Sequence, residues 1–162
     1  MIIPRRNFLK AALATALTLP LSVWAAGENA PYVEYTGPDD PKAYNAFVGK
    51  QAAGAVVVSV FHAKWCAPCR QLFTQLDTIQ KEPGVKIKIV GLDVGPLDFL
   101  KGPYKNILAA HQVKSTPQIE FFAAGDFQYK TAGTFQNVPE ITRYLRDLSR
   151  AVHDDQPASP RP

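Results

Sequence analysis

The chain has 162 residues, enough for one domain and short for two. It carries 18 Lys and Arg against 14 Asp and Glu, a net charge of +4. Arg5, Arg6 and Lys10 fall in the first 25 residues, which hold no acid. The remainder therefore balances 15 basic against 14 acidic groups and lacks the basic excess that nucleic acid or an anionic membrane would need.

Arg5-Arg6-Asn7-Phe8-Leu9-Lys10 leads into an uncharged stretch from Ala11 to Trp24, and Val23-Trp24-Ala25-Ala26 sets small residues around a cleavage point. Charged, then apolar, then small is the layout of an export signal. The apolar stretch is broken by Thr15, Thr18 and Pro20 and falls short of the roughly 20 residues of a membrane span. Arg5-Arg6 with Phe8-Leu9-Lys10 resembles the twin-arginine signal, with Pro4 where that pattern has Ser or Thr. The resemblance implies a periplasmic protein exported already folded. Residues 1–25 are read as the signal, 26–38 as an N-terminal extension, 39–152 as the folded domain and 153–162 as a disordered tail rich in proline.

Tyr32 to Thr36 is a short extended candidate, ended by Gly37-Pro38. Asp39, Asp40 and Pro41 supply a helix start, and the helix is predicted from Pro41 to about Gln51, with Gly54 breaking it. Ala55 to Phe61 is apolar, β-branched and short, as a central strand covered on both faces would be. From Cys66 the spacing of Leu72, Phe73, Leu76 and Ile79 turns helical until Pro83-Gly84. Val85 to Leu92 reads as a second strand, and Gly95-Pro96 and Gly102-Pro103 bracket a loop. A short helix is expected over Tyr104 to His111, then a hairpin of Ile119–Phe122 and Phe127–Thr131 around Ala124-Gly125-Asp126. Pro139 opens a last helix whose apolar face is Ile141, Tyr144, Leu145, Leu148 and Val152. This order predicts a central sheet with helices on both faces, its first two strands forming a right-handed parallel unit.

The chain's only cysteines are Cys66 and Cys69, in Trp65-Cys66-Ala67-Pro68-Cys69. A disulfide between them closes too small a loop to staple a fold, because loop-closure stabilisation grows with loop length. The pair is better explained by carrying two electrons. Cys66 lies where a strand ends and a helix begins, beside N–H groups that have no helical partner and favour a thiolate. Cys69, one turn further in, should be more buried and less ionised. Pro68 sits in the first turn, where a missing N–H is tolerated. Half of a zinc site is the competing reading, but a structural site wants four ligands, and the histidines, His62, His111 and His153, are widely spread.

Val58-Ser-Val-Phe-His-Ala-Lys-Trp-Cys-Ala-Pro-Cys-Arg-Gln-Leu72 resembles the active-site strand and helix of thioredoxin-like proteins. Thr116-Pro117 fits that family's cis-proline, Gly125 its hairpin turn and Gly133 the glycine before its last helix. The resemblance covers residues 39–152 and implies an α/β, thioredoxin-like fold with a central mixed β-sheet flanked by helices on both faces. It also implies a thiol–disulfide oxidoreductase. Cys66 would be the nucleophile, Cys69 the resolving thiol, and the backbone of Thr116, held by Pro117, would pair with substrate beside Trp65 and Pro68. No cofactor beyond the Cys66–Cys69 disulfide is implied. The expected partners are thiols and disulfides of exported proteins and a membrane thiol-reducing system, with no nucleic acid, and the chain is expected to be a monomer.

Val60 and Gly91 stand where cytoplasmic thioredoxin has a buried Asp and a Lys, so proton transfer at Cys69 falls to water or another group. His62, which replaces a Trp of the family pattern, is a candidate for it, a half-exposed packing role being the alternative. Residues 95–103 read as an insertion, either a substrate-facing edge or a surface loop. Ala-Pro between the cysteines resembles reducing members of the family more than oxidants. Disulfide oxidation or isomerisation, a redox-latched binding or chaperone module, and copper delivery are the other readings.

Overall fold

Val56–His62, strand β2, is buried from Val56 through Phe61 and forms the middle of a five-stranded sheet. The sheet order is β1 (Tyr32–Glu34), β3 (Ile87–Asp93), β2, β4 (Gln118–Ala123) and β5 (Asp126–Ala132). The computed structural model describes residues 32–98 and 101–154, so the expected export signal at 1–25, the first part of the 26–38 extension and residues 155–162 of the expected tail lie outside the described residues. Of the tail, His153 and Asp154 end the last helix.

β2 and β3 run parallel, from Val56 opposite Ile87 to His62 opposite Asp93. β4 runs antiparallel to β2, and β5 folds back on β4. The hairpin turns on Ala124 and Gly125, both at positive φ (51° and 92°), the two-residue geometry that matches strand twist. Residues 32–34, assigned above to an extension, form an edge strand of the domain and pair in register with β3. The extended candidate read at Tyr32 to Thr36 is thus a strand over its first three residues.

Helices α1 (Pro41–Gln51) and α3 (Lys105–Ala110) cover one face, packing Tyr44, Val48, Ile107 and Leu108 with Val57 and Phe61. Helices α2 (Ala67–Ile79) and α4 (Val138–Asp154) cover the other, packing Leu72, Leu76, Ile79, Leu145 and Val152 with Val56, Val58 and Val60. The buried stripe of α4 runs through Thr142, Leu145, Ser149 and Val152, with Ile141, Tyr144 and Leu148 half-buried at its flanks. Small polar residues fit there because their hydroxyls are used locally. Ser149 Oγ donates to Leu145 O at 2.7 Å and accepts from Lys86 N at 3.0 Å.

The adjacent acids Asp39 and Asp40 serve different helices. Asp40 caps α1 by accepting from Lys42 N at 3.0 Å. Asp39 reaches across to α3 and accepts from the N–H groups of Asn106 and Ile107, each at 3.0 Å, where Tyr104 supplies no side-chain cap of its own. Asp39→Ala is expected to cost about 1 kcal/mol, the usual loss for a side-chain cap. An unchanged urea midpoint would remove that role from Asp39.

Candidate active site

The site forms where strands end. β2 delivers the chain at His62 into the loop Ala63-Lys64-Trp65, and Cys66 caps α2 in extended conformation (φ −80°, ψ 104°). Cys66 Sγ accepts from Cys69 N at 3.2 Å, so one of the free amides at the helix mouth is spent on the sulfur. The two cysteines are joined as a disulfide with Cα atoms 5.3 Å apart. Ala67 and Pro68 occupy the first turn, as the spacing predicted.

Both cysteines are buried, Cys66 at 3% and Cys69 at 1% exposure. The small difference has the expected sign, but the sulfur expected to attack is itself nearly enclosed. Trp65 stands out beside it at 42% exposure. Its indole N–H donates to Gly95 O at 2.7 Å, so the segment read as an insertion braces the active-site tryptophan through its first residue.

Because β4 is antiparallel to β2, its beginning lies at the end of β2. Gln118 is opposite Phe61, which brings Pro117 alongside the root of the cysteine loop. The Thr116–Pro117 peptide is cis. Pro117 is buried and Thr116 half-buried. Pro117 O accepts from Gly133 N at 2.8 Å, which joins the two positions that the family pattern had singled out separately. From beneath, Gln118 Nε2 donates to His111 O at 3.1 Å, and His111 Nδ1 donates to Glu120 Oε2 at 2.8 Å.

His62 is more enclosed than the half-exposed packing residue anticipated, and its ring does pack edge-on against Phe73. Its side chain is 12% exposed and its Nε2 lies 3.2 Å from each carboxylate oxygen of Glu34, an ion-pair geometry. The Tyr32 hydroxyl donates to the same carboxylate, and Asp93 N donates to it at 2.9 Å. Burial acts to raise the Glu34 carboxyl, but the hydrogen bonds from His62, Tyr32 and Asp93 outweigh it and hold the group below its ordinary value. Glu34 therefore stabilises the fold fully above the usual carboxyl range, and this contribution is lost as the pH falls through its lowered value. Burial first, then the Glu34 hydrogen bond, pushes the Tyr32 phenol up.

Gly91 makes the cluster possible. A Cβ there would meet Glu34 Oε2 at 2.7 Å, and the Tyr32 hydroxyl oxygen closer still. Sequence reading registered Gly91 as an absent lysine and missed Tyr32 and Glu34. The available signal was the glycine itself, since Gly inside a strand marks a close approach by something else. Among the described residues, no group of three His, Cys, Asp or Glu side chains is arranged to hold a metal ion.

A mixed sheet between two helical layers carries a disulfide at the mouth of α2 with a cis-proline at the start of the neighbouring strand. The chain belongs to the thioredoxin family, whose sequence profile matches residues 38–147. It is 25% identical over 100 residues to thioredoxin M3 of rice chloroplasts (Oryza sativa subsp. japonica), covering 62% of this chain and 51% of that one. With the thioredoxin of Bacillus subtilis it shares 33% identity over 63 residues, 39% of this chain and 61% of the other. The chain thus spans about half to three fifths of the length of these two relatives. The fold is that of thioredoxin O2 from Arabidopsis thaliana in its oxidized state, with a TM-score of 0.54 at 20% identity over 74% of this chain and 96% of that one.

Proposed function

We propose that this protein is an exported thiol–disulfide oxidoreductase of the periplasm that reduces disulfides of other exported proteins through the Cys66–Cys69 couple. The observation that carries the reading is the disulfide at the N-terminal turn of α2, with the Cys66 sulfur accepting a backbone N–H, in a chain of the thioredoxin family. In the reduced protein the free amides at that turn favour the Cys66 thiolate, which is the attacking species in exchange. Cys66 forms a mixed disulfide with the client, and Cys69 displaces it.

Trp65, Pro68, Thr116 and Pro117 frame the approach. The exposed indole of Trp65 offers apolar contact, Pro68 stiffens the turn between the sulfurs, and Thr116 presents backbone for pairing with the client chain. Leader residues Arg5-Arg6-Asn7-Phe8-Leu9-Lys10 support export. A reductant working in an oxidising compartment needs a donor, for which a membrane thiol-reducing partner is the fitting class, and the couple itself serves as the only cofactor. The protein acts as a monomer.

Direction is tested by equilibrating the protein with glutathione buffers and quantifying the Cys66–Cys69 bond. A reductant gives a potential near the roughly −270 mV typical of thioredoxin, and a value near the roughly −120 mV of strong oxidants would reverse the assignment.

A further inference from the structure

Resolution of the mixed disulfide has a proton requirement that the two sulfurs cannot meet. Cys69 is 1% exposed and must lose its proton before it can attack. The positions where a buried acid and a lysine would be sought hold Val60 and Gly91, paired in register, with no titratable side chain between them. The space over Gly91 is instead filled from the edge strand by Tyr32 and Glu34, which converge on His62.

Three observations connect this cluster to the sulfurs. His62 ends β2 four positions before Cys66, on the same segment. The rings of His62 and Tyr32 both pack edge-on against Phe73, with centroids 5.2 and 5.6 Å away. Phe73 lies one helical turn beyond Cys69 on α2, so the two share a helix face. A cleft of about 540 Å³, lined by Tyr32, Glu34, His62, Lys64, Asp93 and Gly95 among others, opens the cluster to solvent beside the carbonyl that holds Trp65.

Resting on the oxidoreductase reading, we propose that His62 is the proton acceptor for Cys69 in the resolving step, with Glu34 and Tyr32 as its positioning residues and Gly91 as the vacancy that admits them. The carboxylate can only accept, so His62 Nε2 keeps its proton toward Glu34 and Nδ1 carries the free lone pair. Cys69 S–H gives its proton to Nδ1, and the imidazolium is stabilised by the Glu34 carboxylate. The Cys69 thiolate attacks Cys66 Sγ, the Cys66–Cys69 bond forms, and the bond between Cys66 and the client sulfur breaks. The client leaves as a thiolate and is protonated by solvent, while His62 returns its proton through the cleft. Two electrons pass from the dithiol to the client disulfide. The other groups facing the imidazole are consistent with this role. Asp93 from β3 is tied to Gly95 N at 2.9 Å, Lys64 stays at the rim 3.9 Å from Asp93, Tyr104 lines the far wall, and α2 presents the phenyl ring of Phe73.

The test is the pH dependence of single-turnover oxidation of the reduced protein by insulin, from pH 5 to 9, for wild type, Glu34→Gln and Gly91→Ala. Glu34→Gln keeps the shape and removes the charge, while Gly91→Ala evicts Tyr32 and Glu34 without touching His62 or the cysteines. Both variants should be slower by about 10²-fold at pH 6, the lower end of general-base contributions, and the deficit should shrink steadily as the pH rises toward 9 and hydroxide competes as the proton acceptor. Profiles that overlay the wild type, or uniform slowing at every pH, overturn the proposal. A wild-type protein that fails to reduce insulin at any pH would instead sink the oxidoreductase reading beneath it.

Discussion

Cys66→Ser is expected to reduce insulin no faster than dithiothreitol alone. Cys66 supplies the one sulfur that combines the helix-mouth position with a backbone N–H donor, and Cys69 is the only other sulfur of its kind in the chain. A serine hydroxyl at the same place is too weak an acid for the helix terminus to ionise at neutral pH, so no nucleophile remains. Cys69→Ser should fail differently. It retains the attacking thiolate but cannot displace the client, so it stalls after one turnover as a covalent adduct that mass spectrometry locates at Cys66. Turnover of Cys66→Ser equal to wild type would contradict the assigned role.

Val60→Asp is expected to destabilise the fold by about 3–5 kcal/mol at pH 8, the range for an uncompensated buried charge. Val60 is fully buried on the α2 face, and its partner in register is Gly91, which offers no cation. Glu34 already leans over Gly91 and adds like-charge repulsion. Burial and repulsion both raise the new carboxyl above its unfolded value. The neutral acid is the tolerated form, so the penalty is smallest below the ordinary carboxyl range and grows as the pH rises toward the raised value. Urea midpoints at pH 5 and pH 8 measure this, and a variant as stable at pH 8 as at pH 5 would contradict it. Adding Gly91→Lys should not rescue the variant, because Tyr32 and Glu34 occupy the volume a lysine would need.

The central strand, the cysteine turn and the hairpin were legible in the sequence because each has a short-range signature, whereas the cis-proline at Pro117 followed from the family resemblance. Val56–Phe61 is a continuous apolar run, Cys66 and Pro68 mark a helix start, and Ala124-Gly125 sits between two strand-like segments. The missed features are long-range pairings of polar residues. His62 and His111 looked isolated along the chain, yet each meets a glutamate from another strand, Glu34 or Glu120. Asp39 and Asp40 looked like one capping signal and serve two helices. Glu34 and Gly91 are informative only together, since the missing side chain of one is the seat of the other. Local pattern reports which residues are apolar, and it is silent on which buried polar groups find each other across the sheet.

Alkylation kinetics of Cys66 in the reduced protein, followed against pH, test the central claim most directly. A thiol held at the mouth of α2 should reach half its maximal rate well below the pKa of about 8.5 that a free cysteine shows. A midpoint at or above that value would mean that the helix terminus does not activate the sulfur, and the exchange chemistry built on it would fail.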